Sequence, residues 1–179
     1  MPPSSIRTLR LQLSPLRIEQ AQRLAVLGDD PVIARHTAHF PSPYTLEHAL
    51  DYIRQATASD SAETNQVFGI ELLDGTLIGV INLKLTPRHR SGHLAYWMGA
   101  SYRGHGYMSE AARAIVRHGF QALNLNRVES ACFALNQASA RVLENAGLMR
   151  EGCKRQAFFK AGLFHDMLLF GITAEAATC

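Results

Sequence analysis

An α/β (α+β) fold built on a mixed sheet is what this sequence predicts, on three observations. Residues 66–73 and 76–85 read as strands on either side of Asp74-Gly75, a strong two-residue hairpin signal. Beyond residue 92, strand-like and helix-like stretches alternate, so some strands are joined by helical crossovers. Helical spacing is clearest over 106–123, through Ala111, Ala114, Ile115, His118 and Gly119. Hairpins give antiparallel neighbours and crossovers give parallel ones, which makes the sheet mixed.

Taken in order, Leu9, Leu11 and Leu13 alternate with polar residues as a first strand. A helix follows over 18–27, with Ile18, Ala21, Leu24 and Leu27 on one face. Pro31, Pro41 and Pro43 then mark an irregular stretch. Thr45 is a good N-cap for a second helix over 46–57, and the polar residues 58–65 read as a loop. After the hairpin come a basic loop at 87–91 and a strand over 92–98, which leads to the long helix. A strand at 127–135 and a helix at 138–146 follow, closed by Gly147 as a C-cap. Residues 149–159 and 165–172 form a last antiparallel pair around Lys160-Ala161-Gly162. Phe158 and Phe159 fall on opposite faces of that pair, one suited to the core and one to a cleft.

Composition narrows the classes. The 179 residues are 47 % hydrophobic and 18 % charged, which excludes a disordered chain. No apolar stretch reaches the roughly 18–20 residues of a membrane span, so no membrane partner is expected. A net charge of +3 gives no case for nucleic acid. Cys132, Cys153 and Cys179 form no C-x-x-C pair, and His36 and His39 lack a third ligand. No disulfide framework or metal is expected, and a cytoplasmic location is.

The chemistry lies in Tyr96-Trp97-Met98-Gly99-Ala100-Ser101-Tyr102-Arg103-Gly104-His105-Gly106-Tyr107-Met108-Ser109-Glu110-Ala111. A strand passes through a glycine-containing loop into the longest helix. Unpaired N–H groups and the dipole at a helix start suit a phosphate-bearing ligand, and glycine lets backbone approach it. The third glycine of a dinucleotide fingerprint is missing, and His105-Gly106 stands where a P-loop has Lys-Ser/Thr. Taken alone, the segment is a weak signal that also fits a tight turn with no ligand.

Arg103-Gly104-His105-Gly106-Tyr107-Met108 resembles the R/Q-x-x-G-x-G/A acetyl-CoA motif of the GNAT N-acetyltransferases. Asn136-Gln137-Ala138-Ser139, the run from Arg141 to Leu148, and Glu151-Gly152 follow in the order of the RimJ/RimL-like branch. Members of that branch acetylate protein N-termini, amino acids or small amines. The resemblance is firmest over about 92–172 and implies one GNAT domain over 1–179. Its sheet would be mostly antiparallel and splayed at the cofactor site, with helices on both faces. It also implies acetyl-CoA as co-substrate, no metal, and a primary amine as acceptor, with a second copy of the chain as a candidate partner. Met98 and Gly99 would meet the pantetheine. Gly104, His105, Gly106, Tyr107 and Met108 would form the pyrophosphate loop, and Arg103 and Arg141 would add cationic contacts. Asn136 would touch the cofactor, and Ser139 would protonate the departing thiolate. The tyrosine that many members carry seven residues after the asparagine is here Leu143, and Phe158 matches the place of a glutamate base.

Direct attack by a neutral amine requires no enzyme nucleophile. A peptide α-amine, with a pKa of about 7.7–8.0, needs less help than lysine at about 10.4. His93, Glu71, Glu110 and Asp166 are the candidate bases, and His93 titrates in the useful range. Glu110, in a helix first turn, and Asp166, at a strand start, read as structural. Transfer to an amino acid, polyamine or antibiotic, or CoA sensing without catalysis, are the alternative functions.

Overall fold

A computed structural model describes residues 4–58 and 64–178 of the chain. Cys179 and part of the loop at 58–65 lie outside the described residues. Eight strands form one sheet: β1 (Ile6–Arg7), β2 (Leu11–Ser14), β3 (Asn65–Leu72), β4 (Leu77–Thr86), β5 (Ser91–Met98), β6 (Arg127–Phe133), β7 (Met149–Lys160) and β8 (Leu163–Thr173). Their order across the sheet is β1-β2-β3-β4-β5-β6-β8-β7. Every neighbouring pair is antiparallel except β5–β6, which is parallel. The expected mixed, mostly antiparallel sheet is therefore the observed one.

Helices cover both faces. On one side lie α1 (Ala21–Gly28) and α3 (Leu46–Thr57), whose Leu24, Ala25, Ala49 and Ile53 pack with Val67, Leu77 and Val80. On the other lie α4 (Tyr107–Gln121) and α5 (Gln137–Asn145). Their Ala111, Ala112, Ile115, Ala140 and Leu143 pack against Phe68, Ile81, Leu94, Val128 and Phe170. Burial of these apolar faces supplies the main driving force for docking helices onto the sheet. Among the described residues, no helix is long and apolar enough to cross a membrane.

Several local expectations are corrected. Leu9 is 85 % exposed in a turn, so the first extended region divides into β1 and β2. The helix expected from residue 18 opens as a 3₁₀ turn, Ile18–Gln20, that leads into α1. Pro31 does not break structure but starts a helix, α2 (Pro31–His36). Asp30 accepts from the Val32 N–H at 2.8 Å as its N-cap, and the missing proline N–H falls where no intrahelical partner exists. The hairpin turn is longer than two residues, since β3 ends at Leu72 and β4 resumes at Leu77. Asp74 Oδ1 accepts from the Thr76 N–H within that turn, at 2.9 Å. Neither Phe158 nor Phe159 is a core residue. Phe158 is half-buried, while Phe159 is 62 % exposed and packs on Phe164 near the β7–β8 turn.

What positions the site is a short register. β5 and β6 pair at Ser91–Arg127, Gly92–Val128 and His93–Glu129, and then part. At the fork, the buried Ser130 hydroxyl donates to the Leu94 carbonyl at 2.7 Å. Past this point the two strands no longer bond each other, and a cleft opens through the sheet.

Candidate active site

The cleft has a direction fixed by hydrogen bonding. The Gly99 N–H donates to Ile78 O at 3.0 Å, and Met98 lies opposite Gly79. Met98 is thus a wide-pair residue in the β4–β5 ladder, and its own N–H and C=O point away from β4 into the cleft. Tyr96 lies two residues earlier with the same orientation. A cavity of about 760 Å³ fills the space, with walls from both sides of the sheet. Ser109, Ser139 and Val142 lie toward α4 and α5; Ile33, His36 and Trp97 lie toward the opposite face.

The loop after β5 ends on two glycines with left-handed backbone, Gly104 at φ 79° and Gly106 at φ 78°. A side chain at either position is strained. A Cβ built on Gly104 meets nothing within 4 Å, so the space in front of this turn is open. Gly106 is the N-cap of α4 and makes no side-chain cap, which leaves the first-turn N–H groups of Tyr107, Met108 and Ser109 without an intrahelical acceptor. Gly104, Gly106, Tyr107, Met108 and Ser109 all line the cavity. An open cradle with converging N–H donors at a helix N-terminus fits a pyrophosphate. Arg10 braces this turn from outside. It donates to His105 O at 3.0 Å, lies 4.7 Å from the centre of the Tyr107 ring and pairs with Glu110 at 2.7 Å.

Four of the expected cofactor residues have partners within the protein, and two of them, Arg103 and Asn136, also line the cavity. Gly99 has its N–H on Ile78 O, and a Cβ there would meet Leu27 Cδ2 at 2.4 Å, so it is glycine because α1 presses on it. Arg103 donates from Nε to Met98 O at 2.9 Å and pairs with Asp30 at 2.7 Å. Its charge is matched inside the protein, and it ties the loop to the start of α2. The His105 ring is exposed and stacks on Tyr107 outside the cavity. Asn136 Oδ1 accepts from the Ser139 N–H at 3.1 Å and caps α5. Arg141 stays exposed at the cavity wall.

Ser139 stands in the first turn of α5, inside the cavity. Its Oγ lies 2.9 Å from the hydroxyl of Tyr96, a residue that the sequence pattern did not single out for the site. His93 stands on the opposite face of β5 from Tyr96, at the exposed rim beside the fork. Desolvation by its surroundings lowers its pKa, Glu129 acts against this, and Lys84 reinforces it. The other candidate bases are tied into structure. Glu71 is buried and accepts from Gln20 at 2.6 Å, with Arg17 at 3.0 Å. Glu110 accepts from the Thr8 hydroxyl and the Arg10 N–H, and Asp166 accepts from the Gln156 N–H. Burial tends to raise the Glu110 pKa, but its bonds to Thr8 and Arg10 prevail and lower it. Arg90 of the basic loop binds Asn124 and lines no cavity wall.

Aromatic rings close the face toward α2. Phe158 meets Phe133 at 5.5 Å and His39 at 5.6 Å between ring centres, and Lys160 Nζ bonds the carbonyls of Ala34 and Thr37. The hairpin tip therefore holds the end of α2 over the cleft. No single stretch of sequence announces this wall, because its parts are over a hundred residues apart.

The family model described as the acetyltransferase (GNAT) domain matches residues 10–149. Among curated proteins, the chain is 30 % identical over 112 residues to the "Putative ribosomal N-acetyltransferase YdaF" of Bacillus subtilis, covering 62 % of this chain and 61 % of that relative. It is 36 % identical over 134 residues to the "Uncharacterized N-acetyltransferase YnaD" of Bacillus subtilis, covering 74 % and 76 %. Among solved structures, Mycobacterium smegmatis RimJ in complex with CoA-disulfide superposes with a TM-score of 0.86 at 24 % identity, covering 97 % of this chain and 88 % of that one.

Proposed function

Because this chain belongs to the GNAT acetyltransferase family, we propose that it transfers the acetyl group of acetyl-CoA to the free α-amine of a peptide by direct attack. The observation that carries this reading is the cavity through the split sheet. It brings the uncapped α4 turn, the Met98 N–H and Ser139 to one wall and is lined on the other side by Ile33 and His36 of α2. The donor's phosphates would meet the Tyr107, Met108 and Ser109 N–H groups, and its pantetheine arm would run along β5. The Met98 N–H would then face the thioester oxygen on which charge develops. The amine nitrogen bonds the acetyl carbon, the carbon–sulfur bond breaks, and the proton lost by the amine is replaced on sulfur. Ser139 would donate to that sulfur, and His93, on the acceptor face, would take the amine's proton.

The walls favour an α-amine over lysine. The basic side chains lining the cavity are His36, His93, Arg103 and Arg141, and no carboxylate lines it. Desolvation lowers the pKa of both histidines, with Arg35, Arg103 and Lys160 adding to it at His36. With no carboxylate in the lining to hold an ammonium, an amine with a pKa of about 7.7–8.0 enters as the free base far more readily than one at about 10.4. A protein acceptor also accords with the name of the Bacillus subtilis ribosomal N-acetyltransferase relative. The test is thiol release from acetyl-CoA with peptides, N-blocked lysine peptides, amino acids and polyamines. Release with free α-amine peptides is expected. Release with small amines alone would transfer the activity to that class, and CoA binding without release for any amine would make the protein a sensor.

A further inference from the structure

We infer that Tyr96 is a positioning residue for the thiolate's donor: its phenol holds Ser139 so that the serine hydroxyl is presented to the departing sulfur. The inference rests on the acetyl-transfer reading above. Tyr96 projects from β5 across the cleft to α5, where its hydroxyl lies 2.9 Å from Ser139 Oγ and 3.2 Å from Ser139 O. Two contacts to one residue fix that residue's orientation more firmly than either does alone.

A serine in the first turn of a helix commonly bends its hydroxyl back onto the local backbone. Here the Ser139 N–H already has the Asn136 side chain as its cap, and the serine Oγ has the phenol as its partner. A serine hydroxyl carries one hydrogen and two lone pairs. The phenol has a single hydrogen. Shared in a three-centre bond between Ser139 Oγ at 2.9 Å and Ser139 O at 3.2 Å, it occupies one serine lone pair and leaves the serine hydrogen to point into the cavity. Donation also polarises the hydroxyl and strengthens it as a donor in turn. Burial keeps the phenol protonated by raising its pKa, against its hydrogen bond with Ser139 and with Cys132 acting in the same direction as burial. Tyr96 is thus a standing donor and not a base. Leu143, on the next turn of α5, is fully buried in the apolar core, so the phenol at this site reaches in from the sheet.

The competing role is a brace that merely keeps β5 and α5 together. Tyr96→Phe keeps the ring and removes only the hydroxyl. Single-turnover rates and acetyl-CoA affinity are to be measured for wild type, Tyr96→Phe, Ser139→Ala and the double variant, with melting temperatures alongside. We expect the Tyr96→Phe rate to fall about tenfold, the scale of one well-placed hydrogen bond, with acetyl-CoA affinity changed less than about twofold. The double variant should be no slower than Ser139→Ala, because the phenol then has no hydroxyl to aim. A Tyr96→Phe rate within about twofold of wild type, or a double variant that loses the product of the two single effects, would overturn the proposal. Failure of the wild type to bind acetyl-CoA or release thiol would instead remove the acetyl-transfer reading. Wild-type turnover with an unaffected Tyr96→Phe removes Tyr96 alone.

Discussion

Helix α4 begins on Gly106, in the left-handed region and with no capping side chain, whereas α5 begins on Asn136, whose carboxamide caps Ser139. Both turns leave the sheet at the same cleft, one from β5 and one from β6. An N-cap is worth about 1 kcal/mol to a helix, and the longest helix of the chain goes without it. Its first N–H groups open instead onto the cavity, in front of a glycine that leaves room beside it. The α5 turn is satisfied internally and contributes a single hydroxyl. The difference separates a turn whose first N–H groups have no partner in the helix from a turn capped by its own side chain.

The strongest way to break this contrast is Gly106→Val. A branched side chain in left-handed backbone costs about 1–2 kcal/mol, and each lost bond to a charged phosphate about 1.5–3 kcal/mol. Calorimetry should show acetyl-CoA affinity reduced at least about a hundredfold in a protein whose circular dichroism is that of the wild type. Affinity unchanged by the substitution would mean that the α4 turn binds nothing.

Ser139→Ala addresses the other turn. The backbone N–H that Asn136 caps is retained, so stability and CoA affinity should hold while kcat falls about a hundredfold, the lower end for a general acid. A lower melting temperature with unchanged chemistry would reduce Ser139 to a helix residue.

His93→Gln sharpens the contrast by testing the opposite face of the sheet. A histidine accepts a proton only when neutral, so the wild-type rate should fall with acid, and the lowered pKa puts that limb below the ordinary 6.5. The variant should lose this limb in a pH–rate profile and be slower by less than about tenfold at pH 8. Asn136→Ala should have the smallest effect on activity. It removes about 1 kcal/mol, or roughly 2–4 °C in melting temperature, with acetyl-CoA affinity preserved. A large loss of affinity would return Asn136 to the cofactor site.

These outcomes bear on what a sequence can disclose. Strand and helix order was legible because alternation, turn residues and helical spacing are local, as at Asp74-Gly75 and along α4. The glycine turn was legible for the same reason. The internal partners of Gly99, Arg103 and Asn136 were not legible, because the fold brings them together. Leu27 and Asp30 reach the first two from about seventy residues away, and the choice between cap and ligand contact at Asn136 turns on where one side chain points. Pro31 reads as a breaker until Asp30 is seen to cap the helix it begins. Tyr96 sits inside the motif, yet its importance depends on β5 and β6 parting after His93, which no periodicity records.

That early parting of two strands also bears on traffic. The cavity has walls from both sides of the sheet, α4 and α5 on one and α2 on the other. On the proposed transfer, a donor along β5 and an acceptor on the opposite face of the sheet would be resident together, and neither would have to leave before the other arrives. Ping-pong turnover, in which an enzyme group stores the acetyl between two visits to one doorway, has no structural need here. Initial-rate lines at several fixed acceptor concentrations would accordingly intersect instead of running parallel.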